Sequence, residues 1–140
     1  MRTAVDTSVL LDVFQPDPRF GPASREALRA AHGRGSLVAC DIVWAEVRTH
    51  FPAEDAFEDA LGTLGVRFDA SSPATAAAAG RLWRQSRRAG NAPRGRVIAD
   101  FLIGAHAQLQ ADALLTRDLR FYRRYFRGLR ILDPGALARG

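Results

Sequence analysis

The sequence contains no lysine and only one cysteine. Lysine and arginine together number 20, and all 20 are arginine. The absence of lysine excludes a P-loop, a Schiff-base mechanism and the lysine beside the acidic pocket of a receiver domain. The single cysteine, Cys40, excludes an internal disulfide and a cysteine-cluster zinc site. Because it ends the apolar run 37–40, we expect Cys40 to be a small core residue.

Long apolar runs are also absent. Every run is much shorter than the roughly 20 residues that a membrane-spanning helix needs, and the N-terminus lacks the apolar core of a signal peptide. We therefore expect no membrane segment and a cytoplasmic location. With 140 residues, of which 47% are hydrophobic and 25% charged, the chain has the composition of an ordinary globular protein. We expect one domain over residues 1–140.

Acidic residues are fewer than basic ones. The 15 acids and 20 arginines give a formal net charge of +5. This excess favours a polyanionic partner, because the arginine fork pairs bidentately with phosphate. An arginine-rich, lysine-free composition also arises from the base composition of the coding DNA, so charge alone leaves both explanations open.

Short apolar segments alternate with segments of helical periodicity. Strands are predicted up to residue 5 and over 37–40, 66–68, 113–116 and 129–132. Helices are predicted from residue 7 to about 14 and over about 22–32, 42–48, 53–64, 73–88, 97–110 and 118–126. Strands separated by helices predict an α/β fold with a parallel sheet, covered on both faces and joined by right-handed crossovers.

Four acids stand at positions that folding alone does not require. Asp6 follows the first strand and Asp118 follows the fourth, whereas Glu46 and Asp100 interrupt apolar helical segments. Each has an ordinary alternative: Asp6 and Asp118 can cap helices, and the other two can lie on solvated helix faces. If they converge at one sheet edge, their mutual repulsion requires a cation. Carboxylate oxygens suit Mg²⁺ or Mn²⁺, which can activate water for attack on a phosphodiester.

Hydroxyls and arginines accompany these acids. Thr7 and Ser8 are placed to hold a water or a phosphate oxygen, and Thr116 lies near Asp118. Hydroxyls at helix starts are, however, mostly caps. Arg94 and Arg96 precede the predicted helix that carries Asp100. Cations are disfavoured at the start of a helix by the helix dipole, so their position suggests an anionic ligand. Solvated loop arginines are the alternative.

A further group of arginines recurs at helical spacing near the C-terminus. It forms a basic stripe with aromatic residues mostly on its other side, and either RNA or solvent can cover such a face. The members of this arginine stripe are Arg120, Arg123, Arg124 and Arg127. The three histidines show no metal-ligand spacing, and we assign them no chemistry.

Taken together, these segments resemble the PIN domain. The resemblance rests on 6–8, on Glu46, on 99–107 and on 114–118, and the single-domain length looks most like the VapC toxins of bacterial and archaeal toxin–antitoxin pairs. It implies a three-layer α/β/α sandwich with strand order 3-2-1-4-5. It also implies a Mg²⁺- or Mn²⁺-dependent endoribonuclease, usually a homodimer, whose acidic site is covered by a VapB-like antitoxin.

The resemblance also implies roles for individual residues. It makes Asp6, Glu46, Asp100 and Asp118 the acidic quartet and Thr7 or Ser8 the polar helper. In one respect the sequence departs from the family: members often have a glycine soon after the glutamate, where this chain has Arg-Thr-His-Phe-Pro over 48–52. This departure concerns the shape of the groove entrance and hence the choice of substrate.

The leading hypothesis is metal-dependent hydrolysis of RNA. Asp6, Asp100 and Asp118 would hold the ion, Glu46 would orient the attacking water or a ligand, and the two loop arginines with Thr116 would bind RNA. A haloacid-dehalogenase-like phosphatase is an alternative enzyme, but it requires a second aspartate where Ser8 stands, and a lysine. A non-catalytic RNA-binding or assembly module on the same scaffold is the alternative outside enzymes.

Overall fold

The computed structural model describes residues 1–88 and 97–139. Strands and helices alternate as the periodicity predicts. The strands are β1 (Arg2–Val5), β2 (Ser36–Cys40), β3 (Val66–Asp69), β4 (Ala113–Leu115) and β5 (Ile131–Leu132). The helices are α1 (Thr7–Phe14), α2 (Gly21–Gly33), α3 (Asp41–Arg48), α4 (Glu54–Leu64), α5 (Pro73–Arg88), α6 (Ile98–Gln110), α7 (Leu119–Tyr125) and α8 (Pro134–Arg139).

The five strands form one parallel sheet in the order β3-β2-β1-β4-β5, with helices on both sides. This confirms the predicted fold class and strand order. The apolar strand residues are buried, including Val5, Leu37 and Leu114. Cys40 is buried as predicted, and burial raises the pKa of its thiol to about 11. Within the described ranges, no helix has the length and apolar character required to cross a bilayer.

Two features near the C-terminus differ from the sequence-based prediction. β5 is shorter than predicted, and the chain ends in α8, which was not predicted. The start of α8 carries a local signal, because Asp133 accepts a hydrogen bond from the backbone N–H of Gly135 (3.0 Å) and Pro134 is the first helical residue. α8 packs against α2, which also packs against α1.

Candidate active site

A cleft of about 560 Å³ opens where β1 and β4 end. These strands are parallel neighbours, and Val5 is paired in register with Leu115. The residues that follow them therefore emerge side by side at the carboxyl edge of the sheet, where ligands bind in open α/β folds. All four predicted acids line this acidic cleft, and so do both predicted hydroxyl residues: Asp6, Glu46, Asp100, Asp118, Thr7 and Ser8.

Asp6 is the deepest of the four acids, with 8% of its surface exposed. One carboxylate oxygen, Oδ1, accepts a hydrogen bond from the backbone N–H of Thr7 (2.8 Å) and caps α1. The other, Oδ2, accepts from the hydroxyl of Thr116 (2.7 Å). Asp6 therefore caps α1 and lines the cleft at the same time, with each carboxylate oxygen accepting one hydrogen bond.

Burial raises the pKa of Asp6 from its ordinary value of 3.8 to about 6. Hydrogen bonds from Thr116 and Thr7 lower this pKa, while the nearby charges of Asp118 and Glu46 raise it further. The cleft therefore disfavours the ionised form of its deepest acid, and a bound cation would relieve both the desolvation and the repulsion.

Glu46 projects from α3 towards the start of α1. Its Oε1 accepts a hydrogen bond from the hydroxyl of Thr7 (2.7 Å), which links the two helices across the mouth of the cleft. Ser8 lies beside Thr7, and its hydroxyl oxygen is buried without a hydrogen-bond partner among the described residues. Thr7 thus orients an acid of the cleft, while the hydroxyl of Ser8 is covered and has no hydrogen-bond partner among the described residues.

Asp100 and Asp118 reach the cleft from the starts of two helices. Asp100 lies in the first turn of α6, where its Oδ2 accepts from the backbone N–H of Val97 (3.2 Å). Asp118 immediately precedes α7, and its backbone N–H donates to the hydroxyl oxygen of Thr116 (3.0 Å). Both acids belong to turns whose hydrogen bonds define their position.

Thr116 has a different place from the one predicted. It is fully buried, and its hydroxyl both donates to Asp6 and accepts from the backbone of Asp118. It therefore lies beneath the floor of the cleft and joins two of the acids, a position that corrects the expectation of direct RNA contact. The predicted RNA contacts Arg94 and Arg96 lie outside the described residues.

The donor set fits a hard divalent cation that keeps part of its water shell. All the donors facing the cleft are carboxylate or hydroxyl oxygens, which Mg²⁺ and Mn²⁺ prefer. Across residues 1–88 and 97–139, no group of three or more His, Cys, Asp and Glu side chains is arranged to hold a metal directly. Mg²⁺ is commonly bound through one or two carboxylates and several waters, so the cleft meets this requirement without a closed cage.

One charged residue of the cleft wall and its buried partner behind the wall escaped the sequence-based prediction. Arg117 lines the cleft between Thr116 and Asp118, and it pairs with Asp12 of α1. Asp12 is only 4% exposed. The signal for Asp12 was present, because it interrupts the apolar run 9–14 in the same way that Glu46 and Asp100 interrupt theirs.

His106 has a structural environment outside the cleft. It is buried in α6, and its Nε2 lies 2.7 Å from the Oδ2 of Asp69, which also pairs with Arg2.

Comparisons with known proteins agree with the fold. The model of the PIN-domain family matches residues 3–127. A comparison with curated proteins gives no match.

Solved structures similar to this chain include several toxin–antitoxin complexes. One is VapBC2 from Rickettsia felis bound to a DNA fragment from its promoter, with a TM-score of 0.73 and 17% identity over 95% of this chain and 98% of that chain. Another is a toxin–antitoxin complex from Klebsiella pneumoniae, with a TM-score of 0.67 and 22% identity over 94% and 97%. DNA-bound VapBC from Salmonella typhimurium has a TM-score of 0.67 and 18% identity over 96% and 98%. At these identities the likeness concerns the fold.

Proposed function

This chain belongs to the PIN-domain family, and on that premise we propose that it is a Mg²⁺- or Mn²⁺-dependent endoribonuclease and the toxin of a type II toxin–antitoxin pair. PIN domains are generally nucleases and typically use divalent metal ions. The observation that carries the proposal is the acidic cleft, where four carboxylates from separate parts of the chain meet. Asp6, one of the four, is buried. A hydrophobic core has no need of such an arrangement, because buried carboxylates destabilise a fold unless they are paired.

The acids of the cleft would divide the work between them. Asp6, Asp100 and Asp118 would hold the cation, either directly or through its bound waters. When bound, such an ion lowers the pKa of a coordinated water and stabilises negative charge on a phosphodiester. Glu46, held by the hydroxyl of Thr7, would orient the attacking water, and the hydroxyl of Ser8 would contact that water or a phosphate oxygen.

The excess of arginine supports a polyanionic substrate. The net charge of +5 favours association with RNA. The arginine stripe lies exposed on and just beyond α7, which begins directly after Asp118. Arg94 and Arg96 remain the predicted contacts to RNA phosphates. Together with the cleft, these charges suggest that RNA lies across the start of α7.

Partners and location follow from the same proposal. The similar structures are complexes of the VapBC type, and we propose that a VapB-like antitoxin covers the acidic cleft, that the protein forms a homodimer and that it works in the cytoplasm. A net-negative antitoxin segment would be repelled by the four carboxylates. The covering segment is therefore expected to place a basic side chain in the cleft.

The decisive experiment measures cleavage of total cellular RNA by the purified, metal-stripped protein after addition of Mg²⁺ or Mn²⁺. Asp6→Asn and Asp100→Asn are expected to abolish cleavage while retaining the circular dichroism spectrum of the wild type, because each removes one negative ligand at nearly constant volume. Asp59→Asn is the matched control, because Asp59 is an exposed acid of α4 outside the cleft.

The outcomes separate an enzyme from a binding module. Full cleavage by either cleft variant would contradict the proposed roles of these acids. If the wild type neither cleaves RNA nor binds Mn²⁺, the non-catalytic RNA-binding module becomes the better description.

A further inference from the structure

Arg117 stands in the wall of the acidic cleft, yet its guanidinium pairs with a carboxylate that does not line the cleft. Its Nε donates to Oδ2 of Asp12 (2.8 Å) and its Nη2 donates to Oδ1 of the same carboxylate (3.0 Å). This bidentate geometry is the strong form of an arginine–carboxylate pair. The guanidinium also lies over the ring of Phe20, 4.0 Å from its centroid. Its position is therefore defined from two directions.

Asp12 is built into the fold as the partner of this arginine. It lies on α1, is 4% exposed, and accepts a further hydrogen bond from the hydroxyl of Ser24 on α2 (2.7 Å). A buried carboxylate is costly without a cation and hydrogen bonds, and Asp12 has both. The buried carboxylate of Asp12 thus serves as the ion-pair partner of one arginine of the cleft wall, Arg117.

Without Asp12, Arg117 would have another acid to pair with. A third of its side chain is exposed, so the long stem has room to move, and the guanidinium remains charged at every physiological pH. In sequence it stands between Thr116, which bonds to Asp6, and Asp118. It also lines the same cleft as these two acids. An arginine released from Asp12 would turn to these carboxylates and neutralise the charge that a divalent cation requires.

We propose that Asp12 is a positioning residue that holds Arg117 away from the carboxylates of the cleft and so keeps the cleft available to a divalent cation. The inference rests on the proposed function, because it takes the cleft to be a metal site. It differs from a purely structural role in one respect. Removing Asp12 must weaken metal binding, whereas removing Arg117 must not, although each breaks the same ion pair.

The test is a titration of the full chain with Mn²⁺ in the absence of RNA, followed by calorimetry or by the paramagnetic signal of the free ion. Asp12→Asn is expected to weaken Mn²⁺ binding by about tenfold or more, the range found when residues that support metal ligands are changed. Arg117→Gln is expected to bind Mn²⁺ at least as tightly as the wild type. The double variant Asp12→Asn/Arg117→Gln is expected to recover the affinity that Asp12→Asn loses.

The outcomes distinguish this inference from the proposed function. Asp59→Asn, which removes the same charge from an exposed position, controls for net charge. If the wild type fails to bind Mn²⁺, the proposed function is wrong. If the wild type binds but Asp12→Asn binds equally well, or the double variant binds no better than Asp12→Asn, the inference is wrong. Should Asp12→Asn fail to fold, weaker Mn²⁺ binding by Arg117→Gln overturns the inference on its own.

Discussion

Asp6 both caps α1 and lines the acidic cleft, two roles that the sequence alone presents as alternatives. Its Oδ1 caps α1 and its Oδ2 accepts from Thr116, while its carboxylate lies in the acidic cleft. Burial raises its pKa to about 6. Negative charge at this position therefore opposes folding of the metal-free protein at neutral pH, and a bound cation would offset that cost.

The raised pKa of Asp6 predicts a specific pH dependence of stability. The folded state favours the protonated acid, so the stabilising contribution is complete below about pH 4 and is lost as the pH rises through about 6. The loss amounts to about 3 kcal/mol for a shift of this size. Because asparagine does not ionise, Asp6→Asn should gain about that much stability relative to the wild type between pH 4 and pH 7.

Denaturant unfolding in the presence of a chelator measures this difference. Other acids titrate over the same range, and only the difference between Asp6→Asn and the wild type isolates the contribution of Asp6. A difference that stays constant from pH 4 to pH 7 would show that Asp6 ionises as an ordinary aspartate.

At the scale of elements, the separation of Asp100 and Asp118 depends on how α6 packs against the segment 119–126. Gly104 of α6 faces the ring of Phe126, and a Cβ added to this glycine would lie 2.4 Å from ring atoms. Phe126 is buried and contacts Phe101 and Phe121 in an aromatic cluster. The small residue therefore allows α6 to pack closely against the segment 119–126.

Gly104→Ala is expected to destabilise the protein by up to about 2 kcal/mol. Overpacking of a core costs about 1–3 kcal/mol, and the better helix propensity of alanine, worth about 1 kcal/mol, offsets part of it. Gly80→Ala on α5 is the matched control, because a Cβ there meets nothing within 4 Å. Thermal unfolding of both variants measures the contrast, and equal stability of the two would contradict the packing argument.

At the scale of the whole molecule, the two signs of charge are segregated. Four acids gather in the cleft, although the chain is basic overall. The arginine stripe remains exposed on and just beyond α7, and its aromatic neighbours Phe121, Tyr122 and Phe126 are buried. The acidic cleft thus has a cationic surface beside it, which is the pattern expected where a phosphate backbone approaches a metal site.

This segregation predicts how salt affects RNA binding. In an Asp100→Asn background, replacing the stripe by glutamine should reduce the slope of log affinity against log salt by about 3, because each single-strand phosphate contact contributes about 0.7. The matched control removes four exposed arginines elsewhere: Arg25, Arg29, Arg67 and Arg81. Filter binding over a salt series measures both slopes. Equal slopes for the two variants would identify the stripe as a solvated face.

The sequence by itself determined the order of the elements from β1 to β5 and the four candidate acids. Helices and strands each produce a characteristic spacing of apolar residues along the sequence. An acid within an apolar run, such as Glu46 or Asp100, can be recognised without knowledge of its contacts. The family resemblance added the strand order, which the sheet confirms. The element order and the candidate acids can be predicted because both depend on residues that lie close together in the sequence.

Only the tertiary structure decided which partner each polar group takes. Thr116 bonds to Asp6 across 110 residues of chain, and Arg117 pairs with Asp12 across 105. Neither spacing follows from a helical or strand period, so local patterns assigned Thr116 to RNA and left Asp12 without a role. Hydrogen bonds and ion pairs depend on distances of a few ångströms, and those distances exist only after β1 and β4 have paired and brought their ends together.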